Sequence, residues 1–428
     1  MFNTSSITAI DGSSSQLSPH FIAPRYDSYC FSHLPATIEH LLTGNGQPTL
    51  PPDVLGNLPT RYERVVFFFV DAFGWRFFER YADQYPFLKA ALDRGVVSKM
   101  TSQFPSTTAA HVTCIHTGLP VGQSGVYEWT YYEPLVDERI TPLLFSYAHD
   151  DVQRETLTAS GIAPEAFFPQ QTFYQRLHAQ GIASHILQYK GYTPSTYSDI
   201  VFRGARVHPY ESIQQALVFL SELLQVERAS PVYYFLYFDR IDEVCHRCGP
   251  FSKEFETTTH DFFSAMDALF YQNISGKIAN TLLLMTADHG QVEVDPKTTY
   301  YLNKHIPSIA QYLRTNRQGQ LITPAGSPRD VFLYVKDEYV DSVIADLREQ
   351  LAGHAEIYRT QELITQHYFG TQELSPMLLA RLGNVLVLPY KGETVWWYIE
   401  GKPNMHFLGH HGGLTREEME IPLIALPL

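Results

Sequence analysis

The chain has 428 residues, 44% of them apolar and 14% aromatic, which suits a large α/β enzyme core and excludes a disordered chain. A formal net charge of −14 argues against long nucleic acid as the main ligand, because such binding rests on many Lys and Arg contacts to phosphates. Small phosphate esters stay open, since bound metal ions set the local charge of a pocket whatever the overall balance.

The first 61 residues are rich in Ser, Pro and Gly and read as an arm packed on the core, with a helix over Ala36 to Leu42 and any disorder confined to the start. Neither region of a secretory signal is visible, and the Val65 to Val70 run is too short to span a bilayer. The expectation is a soluble cytoplasmic protein with no membrane partner.

Val65 to Val70 reads as a buried strand ending on Asp71. Helical patterns follow through Tyr81 and over Phe87 to Ala91, and Val96 to Phe104 returns to strand. Further strands are expected at Ser184 to Leu187, Val232 to Phe238 and Asn280 to Thr286, with helices between them over Phe173 to Gln180, Ser212 to Val226 and Phe255 to Tyr271. This alternation predicts an α/β fold with a doubly wound, mainly parallel sheet and helices on both faces, in which ligands bind at the carboxyl ends of the strands. Residues 62–428 form the expected catalytic domain. Within it, 300–400 break the rhythm as a small α+β insertion, with strands at Asp330 to Val335, Ala355 to Tyr358 and Asn384 to Pro389 and a helix through Leu351.

Candidate metal ligands gather at strand ends. Asp71 closes the first strand, Asp242 and His246 lie just past Val232 to Phe238, and Asp288-His289-Gly290 follows Asn280 to Thr286. Gly409-His-His-Gly-Gly413 adds a glycine-flanked histidine pair. A lone Asp after a strand is commonly a cap or turn residue, but these positions fall together, and mixed oxygen and nitrogen donors suit zinc, with manganese or iron as the nearest competitors. The four cysteines are too few for a disulfide framework, and Cys245-x-x-Cys248 has no second pair to complete a zinc knuckle. Thr108 opens an amphipathic run after Phe104-Pro-Ser-Thr, so its hydroxyl projects from a helix N-terminus that favours an anion. Taken alone, an N-cap role explains it equally well.

These residues resemble the type I phosphodiesterase and nucleotide pyrophosphatase family of the alkaline phosphatase superfamily. The family's F-P-x-x-T with a threonine-glycine pair fits Phe104 to Gly118, its D-x-x-x-H-x-x-G-P fits Asp242, His246, Gly249 and Pro250, its D-H-G fits Asp288 to Gly290, and its G-x-H-G fits Gly409, His411 and Gly412. The resemblance implies one divalent ion held by Asp242, His246 and His411 and a second by Asp71, Asp288, His289 and the Thr108 oxygen, with His410 a spectator. It also implies hydrolysis of a small phosphodiester or pyrophosphate through a covalent phosphothreonine.

The resemblance implies a phosphate-contacting residue three positions after the nucleophile, and here that position is His111, whose charge would bear on diester against monoester preference. A helix-exterior position is the other reading of His111. Trp129, in the aromatic stretch Val126 to Glu133, is a candidate for stacking a nucleobase, and Tyr189-Lys-Gly-Tyr192 is a second candidate for the substrate wall, with Lys190 to meet a distal phosphate. Aromatic residues in such a stretch are more often core.

A phosphomonoesterase is the nearest alternative, and a catalytically silent metal-binding module a distant one, because no ligand or nucleophile position is lost. Cys114 lacks the sulfatase motif, Thr108 replaces the serine of a cofactor-independent phosphoglycerate mutase, and no anchor of the phosphoethanolamine-transferase kind is visible.

Overall fold

The computed structural model describes residues 1–150, 153–227 and 231–428. Its centre is a seven-stranded sheet built from β1 (Arg64–Val70), β2 (Val96–Thr101), β3 (Ala183–Tyr189), β4 (Arg206–Tyr210), β5 (Val232–Phe238), β6 (Thr281–Thr286) and β7 (Glu420–Pro427). The order across the sheet is β2-β7-β6-β1-β5-β3-β4. The pairs from β6 to β4 are parallel, and β7 alone runs antiparallel to both its neighbours. β1, β5 and β6 are buried along nearly their whole length, as their continuous apolar runs require of strands covered on both faces.

The fold class is the one the alternating pattern predicts, and the strand ends shift only slightly. The exception is the Val96 to Phe104 run, whose ladder stops at Thr101. From Ser102 the chain leaves the sheet so that Thr107 can cap the helix Thr108–Thr117.

The N-terminal residues have regular structure from the start. Thr4–Asp11 is a helix capped by the Asn3 side chain, and Leu34–Thr43 extends the expected second helix. The arm lies along β2, an edge strand: Asn3 N–H donates to Val97 O at 2.8 Å, Val97 N–H to Met1 O at 2.9 Å and Thr101 N–H to Tyr29 O at 2.8 Å. It thereby covers backbone groups that would otherwise be left open on that edge. Farther along, the Tyr26 hydroxyl accepts from Phe104 N–H at 3.2 Å, bracing the segment that leads to Thr108.

Between β6 and β7 the chain builds a second sheet of four antiparallel strands, Ala325–Ser327, Asp330–Leu333, Val385–Pro389 and Ala355–Arg359 in that spatial order, with the helix Val340–Gln350 packed on it. One face of this sheet has its own apolar cluster, including Val331, Leu333, Val343, Leu347, Ile357 and Val387. Period-two alternation sends Phe332 and Leu386 to the opposite face and into the main core. Among the described residues no helix is long and apolar enough to cross a membrane.

Candidate active site

The site forms where β1, β5 and β6 end. Asp71 follows β1 directly, Asp288 and His289 lie just beyond β6, and Asp242 and His246 sit one turn apart on the helix Arg240–Cys248 that follows β5. His411 reaches the same place from the loop that precedes β7. Two groups of donor atoms each converge within 4.8 Å: Asp71, Asp288 and His289 in one, Asp242, His289 and His411 in the other. His246 joins the second group through its contact with Asp242, Nε2 to Oδ2, at 3.4 Å. His410 is buried, with Nδ1 beside the backbone of His411 at 3.0 Å and its ring 5.1 Å from that of His246, and it belongs to neither donor group.

The three histidines share one arrangement. Nδ1 of His246 faces Gly409 O, that of His289 faces Gly290 O and that of His411 faces Ser106 O, each at 2.9 Å. A carbonyl only accepts, so each Nδ1 carries the proton and each Nε2 presents its lone pair inward. His289 Nε2 lies 3.3 Å from Asp288 Oδ2, and His411 Nε2 lies 3.7 Å from Asp242 Oδ1. Adjacent ligands on one tetrahedral zinc are separated by roughly 3.3 Å, given metal–ligand bonds of about 2.0–2.1 Å.

The electrostatics also fit bound cations. Burial, then Asp288 and Asp242, pushes Asp71 well above the usual carboxylate range, and burial pushes Asp288 up to about 7. Asp288 Oδ2 is buried without a hydrogen-bond partner. Burial, then the neighbouring His411, holds His289 far below the usual imidazole value, and burial takes His411 down to about 4. Uncharged imidazoles beside crowded, underneutralised carboxylates are the state a divalent cation relieves.

Thr108 is the first residue of its helix and makes no capping bond; the cap position belongs to Thr107, whose hydroxyl donates to Tyr127 O at 3.2 Å. Thr108 Oγ1 instead lies 3.3 Å from His289 Nε2 and 3.4 Å from Asp71 Oδ2. The hydroxyl is thus placed among the first donor group, and the N-cap reading of this residue falls away.

His111 requires a correction. It is fully buried, with Nδ1–H donating to Thr107 O at 2.7 Å and Nε2 accepting from Gln103 N–H at 2.9 Å, and burial takes its pKa down to about 3. It neither meets substrate nor lies on the helix exterior. A neutral ring instead ties the end of β2 to the first turn of the Thr108–Thr117 helix.

The aromatic stretch divides. Tyr127 and Tyr131 stack on each other in the core, their centroids 5.1 Å apart, while Trp129 stays 47% exposed. Tyr189 is 36% exposed at the end of β3, and Lys190 Nζ donates to Glu211 Oε1 at 2.7 Å. Cys245 and Cys248 are both unpaired.

Several residues that the sequence did not single out orient the ligands. Gln291 Nε2 donates to Asp242 Oδ1 at 2.6 Å, and the Tyr237 hydroxyl donates to Asp71. Ser106 Oγ donates to Gly413 O at 2.8 Å and accepts from Gly412 N–H at 3.2 Å, fastening the His411 loop to the segment that leads into Thr108. Arg329 and Glu418, both fully buried, pair at 2.9 Å, and Glu418 also accepts from Gly413 N–H at 3.1 Å. Gln291 directly follows Asp-His-Gly and was open to notice; the others become neighbours only through the fold.

A search of curated proteins returned no match. Among solved structures, murine ectonucleotide pyrophosphatase/phosphodiesterase 5, as an inactive variant in complex with AMP, is similar at a TM-score of 0.61 and 17% identity, covering 86% of this chain and 88% of that one. The human protein of the same name is similar at a TM-score of 0.60 and 15% identity, covering 85% and 87%. The type I phosphodiesterase / nucleotide pyrophosphatase family profile matches residues 65–414, a span that holds every candidate ligand and Thr108. The chain therefore belongs to that family and is a hydrolase of phosphoester bonds.

Proposed function

We propose that residues 62–428 hydrolyse phosphodiester or pyrophosphate bonds in small substrates of the nucleotide kind through a phosphothreonine at Thr108. The observation that carries this reading is the Thr108 hydroxyl, 3.3 Å from His289 Nε2 and 3.4 Å from Asp71 Oδ2 at the open end of its helix. The AMP bound to the murine neighbour's inactive variant supports a nucleotide-type ligand.

Thr108 Oγ attacks phosphorus in line, the phosphorus–oxygen bond to the leaving group breaks as the new one forms, and the hydroxyl proton passes by way of solvent to the departing oxygen. Water then cleaves the phosphothreonine and restores the hydroxyl. Asp71, Asp288 and His289 would hold one divalent cation beside Thr108, and Asp242, His246 and His411 a second. Bound there, the two cations supply Lewis-acid stabilisation of the Thr108 alkoxide and of the leaving oxygen, and zinc best matches the mixed donor set. Three aspartates and an alkoxide balance the charge of two such ions, so an anionic ester is not repelled. The free amides at the start of the Thr108–Thr117 helix face the same place and favour the phosphoryl oxygens. His111 is sealed in the core, so its charge is no argument for monoesters, and the diester reading stands first.

The test is turnover of bis(4-nitrophenyl) phosphate, 4-nitrophenyl phosphate and a dinucleotide, with zinc or manganese and after chelation. Thr108→Ala is expected to lose several orders of magnitude in kcat, the common cost of removing a covalent nucleophile. Full activity in that variant would exclude Thr108, and activity that survives complete metal removal would exclude the two-cation site.

A further inference from the structure

Arg154 stands over the ring of Tyr192, its guanidinium carbon 5.5 Å from the ring centroid. Tyr192 follows the carboxyl end of β3, and its hydroxyl donates to Asp239, the cap residue of the Arg240–Cys248 helix that carries Asp242 and His246. The Tyr192 ring lies 6.5 Å from that of Tyr237, whose own hydroxyl donates to Asp71. A line of contacts therefore leads from the Thr108 site outward to Arg154. Burial and Asp239 push the Tyr192 hydroxyl above its usual value, Asp71 adds to this, and Arg154 opposes it, so one ring lies within electrostatic reach of both ends of the line.

The other cations near this edge are engaged. Lys190 pairs with Glu211 at 2.7 Å, Arg76 with Glu293 at 3.0 Å, and Arg240 with Glu243. Arg154 is exposed, and among the described residues no carboxylate pairs with it. Its neighbour Glu155 anchors the backbone: Glu155 N–H donates to Leu144 O at 2.9 Å, and the Glu155 carboxylate accepts from Thr196 N–H at 3.0 Å. The guanidinium is thus stacked on an aromatic face and backed by a fixed chain, with its donors open to solvent. That arrangement suits bidentate capture of a phosphate.

We propose that Arg154, seated on Tyr192, is the subsite for a second phosphate of the substrate, beyond the phosphorus that Thr108 attacks, and that it favours organic pyrophosphates over simple diesters. This rests on the hydrolytic reading of the Thr108 site. The physical reason is charge: two cations and four anionic donors leave the Thr108 site near neutral, so a second phosphate brings charge that a further cation must offset, and Arg154 stands exposed at the outer end of this line of contacts. It takes the part the sequence suggested for Lys190, whose charge is committed to Glu211.

The test compares kcat/KM for ADP-ribose and for bis(4-nitrophenyl) phosphate in the metal-loaded full chain as wild type, Arg154→Ala and Arg154→Lys. In Arg154→Ala the ratio of the two is expected to fall about tenfold or more, on the scale of one charge-assisted contact, and to do so through KM rather than kcat. Arg154→Lys should recover part of the loss, because it keeps the charge without the planar fork. The KM of the wild type for ADP-ribose should also rise more steeply with salt than that of Arg154→Ala. A structural cover for Tyr192 would change both substrates alike, so an unchanged ratio overturns the Arg154 assignment and leaves the hydrolytic reading in place. If the wild type hydrolyses neither ester with zinc, manganese or iron, both readings fall.

Discussion

The Gln291 amide donates to Asp242 Oδ1 at 2.6 Å while its own oxygen is buried without a partner. An uncharged donor in this position orients the carboxylate without bringing a positive charge that would compete with a cation. Gln291→Ala is expected to weaken metal binding about 10- to 100-fold, the usual effect of losing an outer partner of a ligand. Calorimetric titration of the chelated protein with zinc would measure it, and an affinity equal to wild type would show that the bond does not position Asp242.

His111 holds two buried backbone groups, Gln103 N–H and Thr107 O. His111→Leu leaves Gln103 N–H and the Ser102 hydroxyl without their ring partner, while Thr107 O keeps the backbone N–H of residue 111, and should cost roughly 2–6 kcal/mol of stability, at about 1–3 for each group left unpaired. Its diester-to-monoester activity ratio should match wild type, since the ring does not face substrate. A shifted ratio with unchanged denaturant stability would restore the substrate-contact reading.

Gly290, in the Asp-His-Gly turn, packs against Gly74 at the start of the helix Trp75–Tyr81. A Cβ on Gly290 would lie 2.1 Å from Glu417 O and 3.4 Å from Gly74 Cα. Backbone on both sides cannot yield as a side-chain tip would, so Gly290→Ala should cost roughly 2–4 kcal/mol and displace His289. Thermal melting and metal affinity should fall together; a variant with wild-type values of both would refute the close-packing argument.

Relative to the metal-loaded protein, the metal-free protein should lose stability as pH rises; the buried neutral histidines act in the opposite sense in both forms and cancel in that comparison. Asp288 titrates near 3.8 when unfolded and at about 7 in the fold, and burial also raises Asp71. Between those values the folded state holds a proton that the unfolded state has released, so stability is present below about pH 4 and declines through about pH 7. For the Asp288 shift this amounts to a few kcal/mol at roughly 1.4 kcal/mol per pH unit. Bound cations replace those protons and should flatten the slope. Melting temperatures at pH 5 and pH 8, with chelator and with zinc, would check the sign: a chelated protein that gains stability relative to the loaded one over this interval contradicts it.

The sequence by itself marked five of the seven strands of the sheet, because continuous apolar runs such as Val65 to Val70 have few ways to be buried, and it placed Asp71, Asp242 and Asp288 at their carboxyl ends; the edge strand β4 and the antiparallel β7 were not legible in it. It also marked Thr108, since motif spacing is a local property. Local order could not say where a side chain points once helices pack. His111 lies one helical turn from Thr108, yet that turn aims its ring at the end of β2 rather than toward the site. Serine-rich residues at the start had no pattern to declare a helix, and they fold because an open edge of β2 offers them hydrogen-bond partners. The tertiary structure alone decided which polar groups support the candidate ligands and, among the described residues, which cations remain unpaired. Gln291, Tyr237 and Arg154 act through neighbours distant in sequence, and such contacts exist only after the chain has closed around them.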